Sequence, residues 1–286
     1  MAEGDARADC YPLADALPVD LADLDPGTNV LVSGPSMSGK RQLVFDLLAP
    51  NGVTADPVVV MTTDDPTSRI QTGFEDRGVR FDPTTFRVVD ATGAPGDSEP
   101  AVHRVSSPAD LTRMGVAFTQ AVDEMGTPDR LRLGFVSIST LLQYVDAERA
   151  FSFLHVLSRR TSAAGYLGVY SIDPTTHEDR FVNVVTSIFD AAIEIRERDG
   201  DRELRVRGPL DVPPEWTPFP YSRRTASADT LPRRRSRATA SGSRSVGSPN
   251  PPPPGVRTLT TSPACRSWVD LPGIRSASAS PSPRVK

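Results

Sequence analysis

The chain has 286 residues and a formal net charge of -4, a sum of two unlike parts: Met1 to Pro220 holds 20 basic against 34 acidic residues, and Tyr221 to Lys286 holds 12 basic against two acidic. The acidic part repels nucleic acid and stays soluble by self-repulsion, as do proteins of salt-accumulating halophiles. Only two lysines occur, Lys40 and Lys286, and the two cysteines, Cys10 and Cys265, lie near opposite ends. That spacing argues against a disulfide framework or a Cys-based zinc site and for a reducing compartment. The start, MAEGDARADCY, has no basic and apolar signal pattern, and no window approaches 18 apolar residues, so the expected location is the cytoplasm, with no membrane partner.

Along the chain, Asn29 to Ser33 (NVLVS) is a short apolar run that opens into GPSMSGK, followed by helical spacing at Leu43, Leu47 and Leu48. This predicts strand, loop, helix. Val58 to Thr63 predicts a second strand, followed by an amphipathic stretch with Ile70 and Phe74, and Phe86 to Asp90 a third strand. Pro108 to Met125 gathers Leu111, Met114, Phe118, Ala121, Val122 and Met125 on one helical face, with Ser107 as the expected N-cap. Leu131 to Ser139 predicts a fourth strand, Ala147 to Ala163 a helix, Leu167 to Ile172 a fifth strand, and Glu178 to Ser187 a helix.

Strands that are apolar throughout and alternate with helices predict a parallel sheet covered on both faces. The run from Phe189 to Gly208 differs, because alternating strands flank Asp199-Gly200-Asp201. It predicts an antiparallel hairpin on the sheet edge, giving about seven strands. The expected fold is α/β, mostly parallel, with this C-terminal hairpin. The expected division is a domain at 1–216 and a Ser/Pro/Arg-rich tail at 217–286.

The tail includes Pro251 to Pro254 and lacks apolar periodicity, so it is expected to be disordered. An alternative is a frameshifted read-through, since carboxylates almost vanish there. Arg223, Arg224, Arg233, Arg234, Arg235 and Arg237 would meet phosphates of nucleic acid or the acidic face of another copy. A single aromatic beyond Tyr221, Trp268, gives no stacking platform for single strands, and nucleic acid is not the expected partner.

The chemistry-bearing pattern is G-x-x-x-x-G-K, with Gly34, Pro35, Ser36, Met37, Ser38, Gly39 and Lys40. Glycines let the backbone curl so that successive N–H groups face a phosphate. The helix N-terminus adds positive potential, and the lysine reaches the β and γ phosphates. In a chain whose first 220 residues otherwise use arginine, the surviving lysine stands where a slim ammonium fits between phosphates. The bland reading is a glycine turn with an incidental lysine.

These residues, with VVVMTTDDP, FRVVD and LRLGFVSISTLL, resemble the RecA/KaiC-like ATPases, in particular a divergent haloarchaeal branch, over about residues 11 to 216. The resemblance implies a RecA-type core, ATP at the phosphate loop, and ring or filament assembly, hence a homo-oligomer or a regulatory protein partner. It also implies a hydroxyl for Mg²⁺ after the lysine, where this chain has Arg41, and a magnesium-associated Asp at a position matched here by Val136, followed by Ser137. A magnesium ion held in the family's way is therefore not expected.

The family's catalytic carboxylate, at the end of the second strand, corresponds to Asp64 or Asp65. Asp65 before Pro66 equally reads as a helix N-cap, and Asp64 as a solvated loop acid. Ser137 and Ser139 would touch phosphate or cap a helix. Thr176 or His177 would sense the γ phosphate, or Asp173 and Thr176 would serve the turn after the fifth strand. His103 and His155 have no partner at ligand spacing.

The leading expectation is a nucleotide-binding regulatory protein with weak or absent hydrolysis. The alternatives are an active Mg-dependent ATPase using Asp64 or Asp65, and a nucleotide-free interaction scaffold.

Overall fold

A computed structural model describes residues 10–13, 17, 23–49, 56–96, 99–208 and 214–219. The expectations for the tail beyond Phe219, its disorder, its frameshift origin and its arginine cluster, lie outside the described residues, as does Cys265.

The elements run β1 (Asn29–Ser33), α1 (Lys40–Leu48), β2 (Val58–Thr62), α2 (Thr67–Glu75), β3 (Phe86–Asp90), β4 (Val102–Arg104), α3 (Leu111–Glu124), β5 (Arg132–Val136), α4 (Ile138–Leu141), α5 (Ala147–Ala163), β6 (Leu167–Ile172), α6 (Asp179–Thr186), β7 (Ala191–Arg198), β8 (Asp201–Arg207) and β9 (Thr217–Pro218). They form one sheet in the order β4-β3-β2-β5-β6-β1-β7-β8-β9. All neighbours from β4 to β7 run parallel, and β7-β8-β9 are antiparallel.

The apolar strands explain the layering. Successive side chains of a strand point to opposite faces. Leu31, Met61, Leu133, Phe135 and Tyr170 pack beneath Met114, Phe118, Leu154 and Leu157 of α3 and α5. Val30, Val32, Val58, Val60, Val88 and Val169 pack against Leu43, Leu47, Ile70 and Phe74 of α1 and α2. Both faces are therefore covered, which a parallel sheet requires.

Among the described residues the sheet has nine strands where about seven were expected, because β4 and β9 are short and carry no apolar run. β9 also carries the domain past the expected boundary at 216: Leu204 pairs with Thr217, and Phe219 is buried in the core. β2 ends at Thr62 and β5 at Val136, short of the expected Thr63 and Ser139.

Two predicted caps are corrected. Asp110, not Ser107, caps α3 by accepting Arg113 N. Asp65 does not cap α2. Pro66 stands at the N-cap with no side-chain bond, and the Asp65 carboxylate is drawn instead to two arginines.

At the amino edge of the sheet, Asp56 accepts Arg130 Nε at 2.7 Å and Arg132 Nε at 3.0 Å. Arg132 is fully buried and also donates to the Leu47 and Pro12 carbonyls. Both guanidinium groups stack on the Tyr11 ring. This network ties the N-terminal segment beneath the sheet, at the end opposite the candidate site. Among the described residues no helix is long and apolar enough to cross a membrane.

Candidate functional site

Strand order decides which residues meet. β2, β5, β6 and β1 are consecutive in the sheet, so the segments that leave their carboxyl ends stand side by side. These are Thr63–Asp65, Ser137–Thr140, Asp173–Thr176 and Gly34–Lys40. Ligands of open α/β sheets bind at this edge. A cavity of about 620 Å³ opens there, lined by residues of all four segments and by Arg202 of β8.

The phosphate loop begins where Gly34 N donates to Ile172 O at 3.2 Å. Gly34 has no room for a side chain, since a Cβ would lie 2.8 Å from Ser38 Oγ and 3.1 Å from Ile195 Cβ. Met37 (φ 64°) and Gly39 (φ 94°) are left-handed, the kind of alternation from which anion-binding nests are built, and the Ser38 N–H between them donates to Pro35 O at 3.2 Å. Ser38 is buried beneath the loop, and Ser36 and Met37 are exposed on it. Lys40, the first residue of α1, folds back so that Nζ donates to Pro35 O at 3.0 Å and lies 3.6 Å from Asp173 Oδ2. Burial lowers the Lys40 pKa, and the Asp173 charge opposes that shift.

Arg41, where a hydroxyl for magnesium was expected, reaches sideways. Its Nε is 2.6 Å from Asp65 Oδ2, and Arg69 Nη1 holds Asp65 Oδ1 at 3.0 Å. Asp65 is 1% exposed, and its main chain is fixed by exchange with Thr62 Oγ1. Asp64, one residue earlier, lines the cavity and accepts Thr140 Oγ1 at 3.3 Å. Desolvation by the cavity walls and the neighbouring Asp65 charge raise its pKa, while Arg41 opposes the rise. The two aspartates thus stand in different environments: Asp65 is locked between arginines and Asp64 faces the cavity.

Val136 ends β5 in register with Thr62, buried, with an apolar side chain that offers no donor atom to a cation. Ser137 is left-handed (φ 73°) and caps α4 by accepting Thr140 N. Its N–H donates to Ser171 Oγ at 3.1 Å. Ser139 Oγ accepts Asp173 N at 2.8 Å and lies 2.9 Å from His177 Nε2. Burial lowers the His177 pKa, with Asp173 acting against the shift. Thr176 lines the cavity, and its hydroxyl donates to Asp173 O at 3.0 Å.

Asp173 is the residue whose part was least visible in sequence. It serves the expected turn, accepting Thr175 N at 3.0 Å, and it also accepts Ser36 Oγ at 2.8 Å beside Lys40. In sequence it stands directly after a buried-type strand, and the adjacency of β6 to β1 that brings it to the loop belongs to the fold. Arg202 and Thr140 carried no motif, and only folding brings them to the cavity.

The family model described as "Family of unknown function (DUF7504)" matches residues 27–195. No curated protein matches the chain in sequence. Among solved structures, the chain is similar to a KaiC-like protein, PH0186, from the hyperthermophilic archaeon Pyrococcus horikoshii OT3. The two are 14% identical, the match covers 73% of this chain and 95% of that one, and the TM-score is 0.55. The fold is thus RecA/KaiC-like, an α/β core with a mostly parallel sheet and a C-terminal antiparallel hairpin.

Proposed function

The chain belongs to DUF7504, a family of unknown function, and from its own site we propose that it is a nucleotide-binding regulatory protein that takes ATP at Gly34 to Lys40 and hydrolyses it weakly or not at all. The observation that carries this reading is that Gly39 and Lys40 line a cavity at the head of α1 while Arg41 and Val136 stand where the resemblance places a hydroxyl and a carboxylate for magnesium. Met37, Gly39 and Lys40 line a cavity of about 620 Å³, which falls within the range of small-ligand sites.

Magnesium does not fit the donor set in the usual way. Arg41 and Val136 stand where a hydroxyl and a carboxylate would be needed, and a guanidinium cannot ligate a cation. Asp65 is held by Arg41 and Arg69, which leaves Asp64 as the cavity's acid on that side. The Arg41 guanidinium itself brings positive charge to the head of α1. Binding tolerates this arrangement. Fast phosphoryl transfer does not, because a bridging metal normally neutralises charge developing on the β and γ oxygens.

The haloarchaeal affiliation and a cytoplasmic, salt-adapted setting belong to the same proposal, supported by the acidic composition of the first 220 residues. So does a regulatory partner or second copy, as the reader of the nucleotide-bound state.

The test is phosphate release from ATP in molar KCl, for the wild type and Lys40→Ala, alongside nucleotide-induced thermal stabilisation. The expected result is stabilisation by ATP that Lys40→Ala removes, with release at the mutant background. Magnesium-dependent release that Lys40→Ala abolishes would replace this reading with the active ATPase. Absence of stabilisation in the wild type would replace it with the scaffold.

A further inference from the structure

The phosphate loop already has an anion against it. A single carboxylate oxygen of Asp173 accepts Ser36 Oγ at 2.8 Å and lies 3.6 Å from Lys40 Nζ. Lys40 is the ammonium the loop offers a phosphate, and Ser36 lines the cavity beside it. The contact is built into the fold: Ser33 pairs with Ile172 in the β1–β6 register, and Gly34 N donates to Ile172 O, so the residue following β6 must lie beside the loop. The Asp173 backbone is fixed in turn by Ser139 Oγ, and its second carboxylate oxygen by Thr175 N and Thr175 Oγ1. Side-chain exposure is 18% for Lys40 and 7% for Asp173, so water screens the pair only partly.

We propose that Asp173 sets the affinity and selectivity of the site as a resident carboxylate that takes the phosphate's place on Ser36 and Lys40, and that a nucleoside di- or triphosphate must displace. This rests on the nucleotide-binding reading. A lone phosphate would have only those two groups and the loop N–H groups, and would stand against the carboxylate charge. A di- or triphosphate chain extends further along the cavity and gains the Arg41 and Arg202 guanidinium groups, both of which line it. The site therefore selects for polyphosphate, and its affinity for ATP is held below what the loop alone would give.

The experiment is calorimetric titration of the full chain and of Asp173→Asn with ATP, ADP and inorganic phosphate, with Asp173→Ser as a second variant. Asn and Ser both keep an oxygen able to accept Thr175 N and preserve the turn, while removing the charge. The wild type is expected to bind ATP and ADP and not inorganic phosphate. Losing a charge-assisted competitor is expected to tighten ATP binding in the variants about tenfold and to admit inorganic phosphate. Equal or weaker ATP binding by a folded variant would overturn the role of Asp173 and leave the nucleotide reading standing. Wild-type binding of inorganic phosphate as tight as that of ATP would overturn the selectivity. Absence of ATP binding by the wild type and both variants would overturn both readings.

Discussion

Replacing Arg41 by serine removes the guanidinium from the head of α1 and returns a hydroxyl to it. In the fold, Arg41 Nε stands 2.6 Å from a carboxylate that is 1% exposed, and the arginine itself is 38% exposed. Stripping a buried charge of its partner costs about 3–5 kcal/mol. Asp65 keeps Arg69 at 3.0 Å, and Arg41 is partly screened by water, so the expected loss is about 1–2 kcal/mol. For a domain of this size that lowers Tm by about 2–8 °C. Arg69 is 61% exposed, so Arg69→Ala is expected to cost less than about 1 kcal/mol. Thermal unfolding followed by circular dichroism in molar KCl, without nucleotide, gives both values. An unchanged Tm for Arg41→Ser, or a larger loss for Arg69→Ala, would refute the reasoning that Arg41 is the principal partner of Asp65.

Asp56→Ala should be the more damaging change, because it leaves the fully buried Arg132 guanidinium without its carboxylate; a loss of about 3–5 kcal/mol is expected in urea unfolding. Gly34→Ala pushes a methyl to 2.8 Å from Ser38 Oγ and 3.2 Å from the Ile195 carbonyl oxygen, and is expected to cost about 1–3 kcal/mol together with ATP-induced stabilisation. Stability should also fall in acid. Burial alone would raise the pKa values of Asp56, Asp90 and Asp173, yet arginine contacts for Asp56, threonine hydroxyls and Arg104 for Asp90, and Thr175, Ser36 and Lys40 for Asp173 hold all three below the usual range. Groups with folded pKa values below the unfolded value near about 3.9 contribute fully above it and lose that contribution as pH falls through the folded values. Urea midpoints measured from pH 7 down to pH 3 should therefore drop at the acid end, and a flat profile would contradict these assignments.

Much of the architecture was legible because it rests on local pattern. Runs such as NVLVS and VVVMT have apolar centres with no polar alternation, and every residue in them is buried, as in a strand covered on both faces. The turn at Asp199-Gly200 lies between two alternating strands that pair as expected. β4 was not legible, since Val102-His103-Arg104 is half-buried at the sheet edge and carries no period. The α3 cap failed because two candidates, Ser107 and Asp110, both precede it and the acid took the role, and the α2 cap because the Asp65 carboxylate is engaged by Arg41 and Arg69. The phosphate loop was legible as a motif, whereas the contacts that qualify it were not. Lys40 meets Asp173 and Arg41 meets Asp65 across long stretches of sequence, and only the strand order β2-β5-β6-β1 brings those residues to one edge.

The proposed function turns on whether the cradle of Gly34 to Lys40 accepts a nucleotide without a metal. Calorimetric titration of the full chain with ATP, in parallel with magnesium and with EDTA, measures this directly. Saturable binding whose Kd agrees within about threefold between the two conditions, a difference of well under 1.4 kcal/mol, is the predicted result. Binding that appears only with magnesium, or no binding in either condition, would contradict it.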